Sequence, residues 1–235
     1  MNVKSSSIIA IGLLLGLSTL GYLLGSSMIK YKELDRIVTV KGLAVKEVKA
    51  NIILWPIKYG VSSSNLDVVY KKLDADTTTL VSFLESKGFQ KEEITISAPL
   101  VVDKFAQDYR QSEIKFRYSA TQIITVYSKK IDLARVSMQE VSSYGKKGIS
   151  FSSNQYENKP QYIYTKLNEI KPAMIDQATL NARQVAQKFA TQSQSKLGKI
   201  KSARQGQFSI YSRDNNTPYI KRVRIVSTIA YYLVD

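Results

Sequence analysis

The chain has 235 residues, 44% hydrophobic and 23% charged, enough for one full core or two small lobes. Lys and Arg number 34 against 19 Asp and Glu, a formal net charge of +15. Cys and His are both absent, which excludes disulfides, thiolate nucleophiles, His general bases and triads, and Cys- or His-ligated metal sites.

The stretch from Ile8 to Ile29 is uncharged. At about 1.5 Å per helical residue it reaches roughly 33 Å, enough to cross a bilayer. It predicts a transmembrane signal anchor over residues 8–29, a short tail over 1–7, and one folded domain over 30–235. A cleaved signal peptide is the alternative: Lys4 suits its positive start, but the apolar run exceeds the usual ~7–15 residues. Gly25-Ser26-Ser27 is also a poor cleavage site, and a buried core helix is the third reading. Lys30, Lys32 and Arg36 follow the span closely, which on Lys and Arg count alone places the C-terminal side in the cytoplasm. A seven-residue leader on a first helix normally stays inside, so export of the large domain is expected. Gly12 with Gly16 and Gly21 with Gly25 match the close-packing pattern of membrane helices, but Gly12 and Gly21 lie on opposite faces.

Arg36 to Gly60 reads as extended. Val48, Ala50, Ile52 and Leu54 form one face and Lys49, Asn51, Ile53 and Trp55 the other. Gly42 marks a bulge or break, and Pro56 predicts an edge position. Ser64 is the expected N-cap of a helix whose apolar face is Leu66, Val69, Leu73, Leu80 and Leu84, with Gly88 as its left-handed end. A strand over Ile94–Lys104, a polar turn over Ala106–Ser112 and a long strand over Glu113–Ser128 follow. In the long strand, Ile114, Phe116, Tyr118, Ala120, Ile124 and Val126 share the inward face.

Asp132 is the expected cap of a short helix with Leu133, Val136 and Val141 inward, ending near Gly145. Short strands follow near Ile149–Tyr156 and Gln161–Thr165. The longest soluble helix begins around Pro172 in its first turn and runs to about Lys196, closed by Leu197-Gly198. Its stripe is Met174, Ala178, Ala182, Val185, Ala186, Phe189 and Ala190, and the alanines allow close approach to a sheet. Strands over Lys199–Tyr211 and Tyr219–Val234 close the chain, joined by the turn from Arg213 to Pro218. Each half then has extended chain, a helix ended by Gly, and two strands joined by a polar turn, with Gly88 and Gly198 as matching ends. The fold class is α+β, helices packed on mainly antiparallel sheet.

Candidate chemistry is sparse. Ser143-x-x-Lys146 and Ser27-x-x-Lys30 match a Ser-Lys hydrolase pattern that chance supplies in a Ser- and Lys-rich chain. Asp74 with Asp76 and Glu92 with Glu93 are acidic pairs whose members point apart, and both are expected to be solvated. Trp55 is expected to plug the core rather than hold a ligand. No catalytic, cofactor or metal residue is assigned, and no enzymatic activity is expected. Basic clusters at Lys129-Lys130, Lys146-Lys147, Lys199-Lys201-Arg204 and Lys221-Arg222-Arg224 make a field that attracts polyanions. A solvated basic face is the plainest reading, and attraction to anionic envelope surfaces the next. No nucleic-acid motif accompanies the clusters, and no nucleic-acid partner is expected.

Three stretches carry a family resemblance. Val38–Trp55 resembles the opening strand pattern of the SIMPL-domain family, Val-x-Val-x-Gly-x-Ala followed by a polar break and a second strand. Ala186–Ala203 is similar to its alanine-rich helix, then Leu-Gly, then a strand, and Arg222–Val234 is similar to its closing strand. The likeness covers Arg36 to Val234, departing where Lys49-Ala50-Asn51 stands in place of a common Pro-Asp. It implies a SIMPL-like two-lobed α+β domain, export to the periplasm or cell surface, and a tendency to self-assemble. Some members are named as periplasmic immunogenic or oxidative-stress-defence proteins. The resulting expectation is a non-enzymatic protein of the inner membrane, self-assembling, its large domain in the periplasm or at the cell surface. Secretion to the periplasm after signal cleavage is the alternative location. A basic binding module for anionic lipid or envelope polymer is the alternative function.

Overall fold

The computed structural model describes residues 3–33, 36–106, 115–152 and 158–234. The N-terminal apolar stretch forms helix α1, Val3–Glu33, longer than its uncharged core. None of its residues from Ile11 to Met28 is buried. Beyond it, in chain order, come β1 (Ile37–Lys49), β2 (Ile52–Ser63), α2 (Leu66–Ser86), β3 (Ile94–Ile96), β4 (Leu100–Asp103), β5 (Tyr118–Ser128) and α3 (Ile131–Val141). β6 (Ser150–Phe151), β7 (Gln161–Ile163), α4 (Leu167–Gln192), β8 (Lys196–Gln205), β9 (Ser209–Ser212) and β10 (Ile220–Val234) complete the chain. The class is α+β with antiparallel pairing, as the sequence predicts.

The chain divides into two units: Met1–Lys46 with Asn168–Ser209 and Val223–Asp235, and Glu47–Leu167 with Ile210–Arg222. In the second unit β2 and β5 form the long central ladder, with Trp55 opposite Val126, Ile57 opposite Ile124 and Tyr59 opposite Gln122. Their shared face buries Ile53, Trp55, Ile57, Tyr59, Ala120, Ile124 and Val126 against the Val69, Leu73, Leu80 and Leu84 stripe of α2. Fully burying side chains of this size contributes about 1.5–3 kcal/mol each. The inward parity of β5 is the expected one, although the strand starts at Tyr118, and Phe116 before it is 40% exposed. Residues 107–114 of the expected turn and strand lie outside the described residues.

The alternation left open which face of β2 is buried, and the structure places Ile53, Trp55, Ile57 and Tyr59 in the core, with Ile52 buried as well. A two-residue break at Ala50-Asn51 separates β1 from β2, and Ile53 and Trp55 point inward while Leu54 is only half-buried. Pro56 is not on an edge strand, since β2 pairs with β5 on one side and with β6 and β7 on the other. It does fall in the gap between those short partners, which meet β2 at residues 52–54 and 59–60, so a missing N–H is tolerated there.

Asn65, not Ser64, caps α2: its Oδ1 accepts from the Asp67 N–H at 2.9 Å. Leu66 is 39% exposed, and the stripe gains Phe83. Gly88 does take the left-handed conformation, φ +99°. The expected strand over Ile94–Lys104 is two short ones, β3 and β4, each paired with β5. Lys130 precedes α3 with no side-chain cap, and Asp132 sits in its first turn. Ala134 and Ser137 are its buried positions, while Val136 is 53% exposed. A 3-10 turn over Ser142–Lys147 carries the chain past Gly145 to Gly148, φ +87°.

In the first unit β10 lies between β1 and β8, with α4 against one face. The alanine stripe behaves as its composition predicts: Ala178, Ala182, Ala186 and Ala190 are fully buried. Val40 and Ile229 pack on Ala182 and Ala186. Gly42 is neither bulge nor break; a Cβ there would come within 1.8 Å of the Ala178 carbonyl oxygen and 2.6 Å of the Ala182 nitrogen. Val185 and Phe189 are 38% and 54% exposed, off the stripe. α4 begins at Leu167, so Pro172 lies in its second turn and leaves the Asn168 carbonyl without its usual i+4 donor. The helix ends at Gln192, and Gln194 (φ 57°), not Gly198, turns the chain; Leu197-Gly198 already belongs to β8. The repeat of helix-ending glycines therefore fails at Gly198, and Lys199–Tyr211 is two strands, β8 and β9.

Candidate functional site

The residues singled out by sequence are scattered. Ser143 and Lys146 are exposed on the 3-10 turn after α3, and Ser27 is exposed on α1. Trp55, 4% exposed, is a core plug. The acidic pairs are not both solvated: Asp74 and Glu92 are exposed, but Asp76 is buried and accepts from Lys72. Glu93 accepts from the Ser128 hydroxyl at 2.6 Å, the Gln90 N–H at 2.9 Å and Lys130 Nζ at 3.0 Å. Burial pushes its carboxyl up, but these donors outweigh it and hold Glu93 below the usual carboxylate range. Among the described residues, no group of three or more Asp and Glu is arranged to hold a metal ion.

Two of the basic clusters are partly engaged. Lys130 Nζ donates to the Gly88 carbonyl at 2.7 Å as well as to Glu93. Arg222 Nη2 donates to Glu47 at 3.0 Å, and Lys221 Nζ to the Ser212 hydroxyl at 2.9 Å. Lys199, Lys201 and Arg204 are exposed along β8.

Among the described residues, each unit carries a concave surface. In the second unit a cleft of about 500 Å³ runs along α3, lined by Asp132, Arg135, Val136, Met138, Gln139 and Tyr162. The Arg135 guanidinium lies 3.9 Å from the centroid of the Tyr219 ring, which meets Tyr162 edge-on at 6.1 Å. β7 supplies Tyr162 through its pairing with Ile53, and the Tyr219 carbonyl accepts from the Ala50 N–H at 2.8 Å. Stacking fixes the guanidinium while leaving its edge donors able to bind a carboxylate or phosphate, although Asp132 at 3.4 Å competes for them. Burial pushes the Tyr162 hydroxyl up, against the lowering effect of Arg135, so it stays a neutral donor. Sequence reasoning missed this cluster because Arg135 and Tyr219 are far apart in the chain and neither lies in a motif.

In the first unit the sheet face away from α4 is open. Ile37, Thr39, Lys41, Leu43 and Val45 alternate along β1 with the inward Val40, Gly42 and Ala44. A hollow of about 220 Å³ on this face is lined by Ile37, Thr39, Lys201, Ser202, Arg204 and Thr228, among others. Ile37, Leu43 and Val45 are 40%, 44% and 47% exposed.

A buried polar network sits behind the second-unit core. The Tyr59 hydroxyl lies 2.6 Å from Thr77 Oγ1 and 3.0 Å from Gln122 Oε1, and Gln122 Nε2 donates to the Ser97 carbonyl at 2.8 Å. Burial raises the Tyr59 pKa, the Thr77 hydrogen bond opposes this, and Asp76 and Asp74 add to the rise. An unfolded tyrosine ionises near pH ~10 while the folded one keeps its proton higher, so stability is intact below that pH and falls as pH climbs above it. Tyr59→Phe should cost about 1 kcal/mol at neutral pH and flatten part of the alkaline loss in a denaturant-midpoint profile. Tyr162 and Tyr231, also raised by burial, add to it. An unchanged alkaline limb in the variant would remove Tyr59 from the linkage.

The fold and these surfaces define a two-unit α+β protein with concave, donor-rich faces, preceded by an uncovered apolar helix. A family model described as SIMPL, a protein of unknown function (DUF541), matches residues 38–224, and the chain belongs to the SIMPL family. Comparison with curated proteins returned no match.

Proposed function

We propose that this SIMPL protein is a non-enzymatic envelope protein that works by assembly. In this reading, residues 8–29 hold it in the inner membrane, and residues 30–235 form the working domain in the periplasm or at the cell surface. The observation that carries the anchor is the 18-residue apolar window Ile11–Met28, none of it buried. A helix with no apolar cover from the described residues finds that cover in lipid. Support for assembly is the edge of the first-unit sheet: among the described residues, β1 pairs with β10 alone across its 13 residues. A long, partly apolar edge strand is a template for pairing with another chain. A place in envelope or oxidative-stress defence follows the naming of other family members.

Size measurement of the full chain in detergent, with the bound detergent subtracted, tests the assembly. The expected mass is a multiple of 26.4 kDa. A Val45→Pro variant on the β1 edge should shift it toward the monomer. A wild-type chain that stays monomeric at high concentration contradicts the reading.

A further inference from the structure

The open face of the first-unit sheet has a composition that selects its partner. The first-unit parts of its three long strands, Ile37–Lys46, Lys196–Gln205 and Val223–Val234, contain no Asp or Glu at all. They contain Lys41, Lys46, Lys196, Lys199, Lys201, Arg204 and Arg224, a local charge of +7. The sheet is one-sided: Gly42, Ala44 and Val40 turn to α4, so the outward set is Ile37, Thr39, Lys41, Leu43 and Val45 on β1. Arg204 lies opposite Thr228 and Ser202 opposite Ala230, on the same outward side. Three exposed aliphatic side chains thus stand on the outward side of β1 with Lys41, and one of them, Ile37, lines the hollow together with Lys201 and Arg204.

This pattern argues against a second copy on the same face, because two such sheets would bring like charge against like charge. It also differs from the face a soluble polyanion needs, which has no use for exposed Ile37, Leu43 and Val45. Cations with interspersed aliphatic groups match a lipid headgroup layer, where the charge meets anionic phosphates and the aliphatic tips enter the acyl boundary. Chain length brings the two together. Five helical steps separate Met28 from Glu33, and four steps of chain separate Glu33 from Ile37. At ~1.5 Å and ~3.5 Å per residue, Ile37 is held within roughly 22 Å of the end of the apolar window.

We propose that this open sheet face is a membrane-contact surface, seated on the anionic phospholipid headgroups of the bilayer that α1 enters. The inference rests on the anchoring reading above. Anionic lipid then sets how the tethered unit lies on the membrane.

The chain has no native cysteine, so one introduced thiol reports one position. Full-length Thr39→Cys, Ser202→Cys and Gln187→Cys, the last exposed on α4, carry a fluorophore in nanodiscs containing headgroup-spin-labelled lipid. The discs are phosphatidylcholine alone or phosphatidylcholine with phosphatidylglycerol. Quenching at 39 and 202 should be several-fold greater with phosphatidylglycerol, fall with salt, and be lost in Lys41→Gln/Lys201→Gln/Arg204→Gln. Quenching at 187 should stay low in every disc. A chain seated in discs whose labels at 39 and 202 ignore phosphatidylglycerol overturns the face assignment and leaves the anchor standing. A stronger response to soluble polyphosphate than to phosphatidylglycerol assigns the face to a polymer and also overturns it. A chain that never enters the discs removes the anchor, and the contact surface with it.

Discussion

Replacing Gly42 with Val should unfold the first unit, and replacing it with Ala should destabilise that unit heavily. The reason is local and steric. β1 crosses α4 at the alanine stripe, and a Cβ at Gly42 would lie 1.8 Å from the Ala178 oxygen, 2.6 Å from the Ala182 nitrogen and 2.8 Å from Ala182 Cβ. Two of those three atoms are backbone, so no rotamer change relieves the clash, and Ala182→Gly does not rescue it. Overpacking a core typically costs about 1–3 kcal/mol, and a collision with helix backbone belongs at or above the top of that range. The expected result for Gly42→Ala is a loss of about 3 kcal/mol in denaturant unfolding, with hydrogen-exchange protection lost in β1 and α4. Gly145→Ala is the control, because its Cβ would meet nothing closer than 4.0 Å. Wild-type stability in Gly42→Ala would contradict the strand-on-helix geometry.

Two arginines in α1, Leu14→Arg with Leu17→Arg, should release the chain from membranes. Both leucines are more than half exposed on a helix that none of the described residues covers. An arginine near the centre of a span costs about 2.5–3.5 kcal/mol on the insertion scale, and each lost leucine removes a further ~0.5 kcal/mol, so the pair costs roughly 6–8 kcal/mol. That exceeds what one moderately apolar span supplies. The expected outcome is loss from the carbonate-washed membrane pellet, with Leu14→Ile/Leu17→Ile retained there. Retention of the double arginine variant would show that something other than α1 holds the protein.

The elements most legible in the sequence were those with one dominant periodicity. α2 alternates its leucines with charge at helical spacing, and β5 alternates small or apolar residues with polar ones, so their inward faces follow directly. α4 announced its close contact through alanines, yet the strand half of that contact, Gly42, read as a break because glycine signals both. β2 failed for the opposite reason: Ile52, Ile53, Leu54 and Trp55 are all apolar, so parity could not choose a face. On the face that is buried, Tyr59 and Gln122 stand opposite each other, and the Tyr59 hydroxyl donates to Gln122 Oε1 inside the core. The cap of α2 slipped by one residue because the neighbouring polar side chains Ser64 and Asn65 compete for it. The concave surfaces were not legible at all, because Arg135, Tyr162 and Tyr219 meet through β7 pairing and the turn before β10, not through any spacing along the chain.

The most direct measurement uses Gln187→Cys in this otherwise cysteine-free chain, treated with a membrane-impermeant maleimide before and after lysis of spheroplasts. The expected result is a full-length chain in the membrane pellet, labelled fully without lysis. Labelling that requires lysis, or a shortened chain in the soluble fraction, contradicts an exported domain tethered by α1.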